Sequence, residues 1–341
     1  MTAGPTGDQL RFVIAGSLRQ DFILPISGSP QVDVLGGSLP YAAIGLNLWG
    51  GTAGLLARVA EDYPLHWLNQ FQSLGFDLSG IVNAPEPMDA RQFMVHVDPQ
   101  TTHYHNPVEH FAERGLAYPE GLLGYKDRRE EKCSRTDVGP DSLQISDVPE
   151  TYLEASAVHI CPVDYISHII LPSLFRQGLS ATVTLSPASC YMAPSYWEEI
   201  PPLLSELTAF ITEERDIRSL FKGRSADLWV MAEGLGMYGP EFIIIRTESE
   251  GYFLYDRVAE KRWIVPVYQV KDVDPTGSMD AFAGAFLIGY RQQYDPLEGS
   301  LMGCIADSIV REGSGVFYAL DAMPGLIQAR LAVLREFVRE V

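Results

Sequence analysis

The 341-residue sequence predicts an α/β fold, with a mostly parallel central sheet, helices on both of its faces and a small β lid. Three observations carry this expectation. Short apolar runs ending at Gly or Ser alternate with stretches of helical period, as strands buried on both faces and their crossover helices do. One stretch, 90–106, alternates apolar and polar residues instead, which marks a hairpin with one wet face. No internal repeat or low-complexity tract breaks the rhythm, so residues 1–341 read as a single domain.

Residues 10–17 (LRFVIAGS) form the first buried strand. Residues 41–50 (YAAIGLNLWG) read as a helix closing on Gly, and 51–60 as the next strand. Residues 64–75 start with Pro, space Leu, Trp and Phe at helical intervals and end on Gly, which predicts a further helix. The hairpin at 90–106 turns at Asp98-Pro99-Gln100, and a lid is expected from about 17–35 and 88–108. Residues 124–142 are charged without an apolar period and read as a surface insertion. Strands then follow at 156–161, 180–186, 207–212, 241–247 and 251–256, with 262–270 leading into the segment that ends on a helix. Two last helices are expected near 297–312 and 325–341.

Charge narrows the function. The chain carries 44 acidic and 25 basic side chains, a formal charge of −19. Such a surface repels nucleic acid and anionic membrane. A site for an anion must therefore build its own positive field from helix amides and an occasional Arg. Cys133, Cys161, Cys190 and Cys304 are far apart, without the paired spacing of a zinc or dithiol site, which points to a reducing cytoplasm. The N-terminal stretch lacks the basic start and long apolar core of a signal peptide. The most apolar later run, 158–175, is broken by Asp164, His168 and two prolines, so no membrane span is expected.

The chemistry concentrates in 271–290, KDVDPTGSMDAFAGAFLIGY. Gly277 and Ser278 precede a helix whose first amides lack intrahelical partners and whose positive dipole end suits an anion. Asp280 in the first turn is placed to take a proton from a substrate hydroxyl beside that anion. The plainer reading, an acid that merely favours a helix start, stays open on local grounds.

DPTGSMDAFAGAF resembles the C-terminal signature of the ribokinase-like, or PfkB, carbohydrate kinases, Asp-Thr-Thr-Gly-Ala-Gly-Asp, at Asp274, Thr276, Gly277 and Asp280. VIAGSLRQD (13–21), GGSLPYAA (36–43) and the 55–81 stretch resemble that family's first strand, Gly-Gly substrate loop and strand–helix step, in the same order. The resemblance implies a ribokinase-like three-layer sandwich and a sugar kinase using ATP and Mg2+. It makes Asp280 the base and the amides of Gly277, Ser278, Met279 and Asp280 the anion hole. It assigns Asp21, Gly36 and Gly37 to the acceptor, and Arg19, Tyr41 and, from the lid, Arg91 are read as further acceptor contacts from their own chemistry. Thr276, Gly277, Thr247 and Gly251 fall to ATP, and no residue is assigned as a metal ligand.

Several positions depart from the pattern. Met279 stands for the second Gly of the anion hole, Glu248 for a Gly of the nucleotide turn, and Ser186-Pro187 for an Asp-Pro step. Thr212 and Arg215 stand for the Asn and Glu that organise the metal. Arg19 and Tyr41 replace polar substrate contacts, which suggests an acceptor that is anionic or stacks on Tyr41; the alternative is an Arg19 paired structurally with a neighbouring acid. The expected partner is a sugar or sugar-like small molecule, nucleosides included, without nucleic acid or membrane, and a homodimer through the lid is considered. The alternative function is a ligand-binding or regulatory protein with little or no turnover. His103, His105 and His110 read as lid surface in preference to a zinc site, and the GPTG at 4–7 as a tail and not a phosphate loop.

Overall fold

A computed structural model of the chain describes residues 11–127, 134–247, 249–323 and 325–341. It begins with β1 (Phe12–Ala15), β2 (Arg19–Leu24), β3 (Gln31–Gly36), α1 (Ser38–Asn47) and β4 (Gly54–Val59). Next come α2 (Asn69–Ser73), β5 (Asp77–Asn83), β6 (Arg91–His96), β7 (Thr102–His103) and α3 (Pro107–Glu113). The βα rhythm resumes in β8 (Ala157–Ile160), α4 (Tyr165–Gln177), β9 (Thr182–Leu185), α5 (Ile200–Leu204) and β10 (Ala209–Glu213). It continues through α6 (Glu214–Leu220), α7 (Leu228–Gly236), β11 (Phe242–Arg246), β12 (Tyr252–Asp256) and β13 (Lys261–Val265). Then come α8 (Ser278–Gln293), α9 (Pro296–Arg311), α10 (Leu326–Arg335) and β14 (Arg339–Glu340).

The large sheet runs β14-β13-β12-β11-β10-β9-β8-β1-β4-β5. From β5 to β11 every neighbour is parallel, and β12, β13 and β14 add on antiparallel. Strands β1 and β4 are buried along their whole length because helices cover both faces. Ile14 and Leu55 pack with residues of α1, α8 and α9, while Val13 and Leu56 pack with residues of α4 and α7. That is the expected three-layer sandwich.

Helix α8 is held close to α1 by two glycines. A Cβ on Gly45 would lie 2.0 Å from the Ala281 carbonyl oxygen, and one on Gly284 1.9 Å from that of Ala42. Tyr252 of β12 stacks on Phe282 of α8 at 4.1 Å between centroids, adding roughly 0.5–1.5 kcal/mol beyond area burial. These contacts fix where the N-terminus of α8 points.

Strands β3-β2-β6-β7 form a second, small sheet. Its two faces follow the period of two in the sequence. Phe22, Leu24, Phe93 and Val95 point to one side and pack with Phe111 of α3 and Leu122. Arg19, Asp21, Gln92, Met94 and His96 line a cavity from the other side. The wet face expected of the hairpin is therefore turned inward.

Three expectations need correction. Residues 64–75 split into a 3-10 turn, Leu65–Leu68, and the single-turn α2, because Leu65 stays 52% exposed and the apolar stripe is too narrow for one longer helix. The last helix stops at Arg335, and Arg339–Glu340 pair with Ile264 and Trp263 on the edge of β13, whose open backbone groups recruit the chain. Residues 139–141 of the expected surface insertion line the cavity. Residues 128–133 (with Cys133), 4–7 and Glu248 lie outside the described residues.

Candidate active site

The cavity, about 840 Å3, lies between the small sheet and the ends of the strands of the large one, within the usual range for small-molecule sites. The Asp274-to-Gly277 turn forms one wall. Gly277 has φ 70 at the N-cap of α8, and a Cβ there would lie 2.0 Å from Cγ of Tyr41. Both the left-handed backbone and the contact with the ring require glycine. No side chain caps α8, so first-turn amides stay open to an anion. One correction applies: the Ser278 amide donates to the Pro275 carbonyl at 3.2 Å, which leaves Gly277, Met279 and Asp280 as the open part of the expected four-amide hole. The second residue of α8, Met279, is absent from the positive-φ positions, so it keeps its amide without strain while its side chain joins the cavity wall.

The Asp280 carboxyl lines the cavity. Burial, and secondarily the negative charge of Glu213, push its pKa well above the ordinary carboxylate value. That direction suits a proton acceptor working near neutral pH.

On the acceptor side, Asp21 is 1% exposed, with its Oδ1 lacking a partner. Burial raises its pKa to about 7, opposed by the Gly37 backbone amide and Arg19 and reinforced by Asp274. Gly37 lines the cavity, whereas Gly36 backs Asp21, whose carboxylate occupies the space a Cβ would need, 1.8 Å away. Tyr41 has its ring against Gly277 and is 2% exposed, which leaves little face for stacking with an acceptor; its hydroxyl lacks a partner. Arg19 pairs with Asp141 at 2.7 Å, the geometry of the structural pair weighed as the alternative above. Arg91 chelates Asp89 at 2.8 and 2.7 Å and donates to the Gly121 and Leu123 carbonyls, so its fork is turned to its own neighbourhood.

Thr276, assigned to ATP, hydrogen-bonds through Oγ1 with His96 Nε2 at 2.7 Å. The other ring nitrogen of His96 meets Thr102 Oγ1 at 2.9 Å, and Asp274 lies 3.4 Å from Nε2. Burial lowers the His96 pKa, so the ring is held neutral. A buried histidine thus ties the small sheet to the turn before α8. Thr247 lines the cavity, its hydroxyl donating to the Gly251 carbonyl at 2.8 Å; Gly251, at φ 106, shapes that turn from behind the wall.

At the opposite end from Asp21, the acids are already engaged. Glu213 lies 2.9 Å from Arg215 and 3.9 Å from Arg246, and Asp216 3.8 Å from Arg215. Arg246 also faces Asp307 at 3.4 Å and donates to Ser278 Oγ at 3.1 Å. Among the described residues no three His, Cys, Asp or Glu gather as a metal site, and Thr212 and Arg215, expected at metal-organising positions, line the cavity beside Glu213 and Asp216. Glu213 and Asp216 are carboxylates there that could face a metal ion carried by a phosphate ligand, both lying beside Arg215. His103 stacks on His110 at 5.9 Å, and His105 faces Asp127 at 3.3 Å.

Sequence reasoning missed His96, Asp141 and Arg246. His96 had a faint signal, a histidine on the polar parity of the hairpin. Arg246 ends an otherwise apolar strand, FIIIR, at the sheet end where such folds bind ligands. Asp141 had none, because its segment reads as solvent-exposed.

No family model matches the chain. It is 25% identical over 281 residues to a cytidine kinase of Thermococcus kodakarensis, covering 82% of this chain and 88% of that one. A nucleoside kinase of Methanocaldococcus jannaschii, an archaeal member of the ribokinase family, superposes with a TM-score of 0.64 at 16% identity, covering 96% of this chain and all of the other. A fructokinase of Vibrio cholerae with bound fructose, ADP and calcium gives 0.65 at 15%, covering 95% and 100%. The chain has the ribokinase-like α/β fold, and its motif resemblance to the PfkB kinases extends to similarity with such kinases along most of its length.

Proposed function

We propose that the protein transfers the γ-phosphoryl group of ATP to a hydroxyl or hydroxymethyl group of a sugar or sugar-like small molecule, nucleosides included. The observation that carries this reading is the pairing, on one cavity wall, of the uncapped start of α8 with the Asp280 carboxyl. The open amides of Gly277, Met279 and Asp280 would hold the oxygens of the transferring group, where charge grows in the transition state. Asp280 would take the acceptor proton. Asp21 and the Gly37 amide would hold acceptor hydroxyls at the other side, and the small sheet would act as the lid that keeps water from competing. Magnesium would arrive as part of the Mg·ATP substrate, with Glu213 and Asp216 as cavity carboxylates placed to face it.

The cytidine, nucleoside and fructose kinases to which the chain is similar support this reaction class. A second reading, ligand binding with little turnover, is favoured by Thr212, Arg215 and Met279. ADP release from Mg·ATP, followed across sugars, sugar acids, phosphosugars and nucleosides, separates the two. Release that requires one acceptor class supports the kinase. ATP binding without any acceptor-dependent release supports the second reading.

A further inference from the structure

On the reading that the cavity takes a hydroxyl acceptor beside Asp21, we infer that Asp141 sets the acceptor class: it neutralises Arg19 and so favours uncharged polyols, nucleosides included, over sugar acids and phosphosugars. Arg19 and Asp21 alternate along β2 onto the face of the small sheet that lines the cavity. Arg19 is 8% exposed, and its Nη2 lies 2.7 Å from Oδ2 of Asp141, which lines the same cavity. A guanidinium without a carboxylate partner at this place would grip an anionic group of the acceptor. Paired with Asp141, it presents no net charge.

Asp141 is built into this place and is no chance surface partner. The turn that carries it is pinned: the Gly139 amide donates to Ser142 Oγ at 2.8 Å, the Ser142 amide to the Gly139 carbonyl at 3.1 Å, and the Leu143 amide to Ser167 Oγ of α4 at 2.8 Å. Ser142 and Leu143 are buried, Leu143 in the core cluster that holds Leu171 and Phe175 of α4. Arg19 is fixed from its own side, its carbonyl accepting from the Tyr63 hydroxyl at 3.2 Å. The lid arginine is committed in the same way, Arg91 to Asp89 at 2.7 Å. Lys126 also lines the cavity but is exposed, where water and salt screen its charge. The Asp21 carboxyl and the Gly37 amide between them offer an acceptor and a donor, which suits hydroxyl groups.

The test uses acceptors matched except for one anionic group, fructose with fructose 6-phosphate and uridine with orotidine. Acceptor-dependent ADP release from Mg·ATP and calorimetric binding are measured for the unaltered protein, Asp141→Asn, and Asp141→Asn combined with Arg19→Gln. Asparagine keeps the shape and can still accept the Arg19 hydrogen bond, so what the change removes is the compensating charge. The unaltered protein should favour the uncharged member of a pair by roughly tenfold or more, in kcat/KM or in affinity. Asp141→Asn should shrink that ratio by roughly tenfold, and the added Arg19→Gln should restore it. A merely structural pair would weaken both members alike and leave the ratio within about threefold of its original value, which would overturn the inference. So would a shifted ratio that persists without Arg19, or an unaltered protein that favours the anionic member. Each of these outcomes leaves the kinase reading standing. Absence of both binding and release with every acceptor tested would sink that reading together with the inference.

Discussion

Replacing Asp21 by Asn should flatten part of the pH dependence of stability. Asp21 is nearly inaccessible and its pKa rises from the ordinary 3.8 to about 7 in the folded protein. The folded state therefore holds the proton more tightly than the unfolded chain, and stability falls as pH rises between those two values. Integrated over the interval, one such group costs roughly 4 kcal/mol above neutrality relative to acid pH, as an upper figure. Asp21→Asn cannot ionise and keeps the shape, so the variant should gain on the unaltered protein as pH rises from about 4 to about 7. The difference between the two is the quantity to read, since Asp216, raised to about 6, titrates in both. Urea unfolding at several pH values measures it. A constant difference across that range would refute the argument that burial, and not a hidden partner, sets the state of Asp21. The same variant should lose acceptor affinity, because an amide presents a donor where the carboxylate accepts.

Gly277→Ala should destabilise the protein by roughly 2–4 kcal/mol, combining left-handed backbone strain with the collision against Tyr41; unchanged urea unfolding would contradict the geometry. His96→Leu removes the bonds to Thr276 and Thr102 while filling the space. It should lower kcat/KM for the acceptor by roughly tenfold or more with a smaller change in ATP affinity, since it loosens the lid against the turn. Equal losses in both constants would make His96 a packing residue only.

Much of the architecture was legible because it follows from local pattern. Strands buried on both faces, such as β1 and β4, read as short apolar runs, and the Asp274–Asp280 turn carries a dense signature. What stayed hidden depends on contacts distant in sequence. Arg19 is indifferent in its own strand until Asp141, more than a hundred residues away, closes on it. The inward turn of the hairpin's polar face depends on α3 and Leu122 covering the other side. Arg339 and Glu340 join β13 because its edge lies open, a fact of sheet order that no helical period reveals.

The central claim rests on Asp280, and one measurement addresses it most directly: acceptor-dependent ADP release by Asp280→Asn beside the unaltered protein, with ATP affinity measured in parallel. The account predicts a fall in kcat/KM of about 10²–10⁴-fold with ATP still bound. Activity in the variant within roughly threefold of the unaltered protein would contradict it, since proton removal would then proceed without this carboxylate.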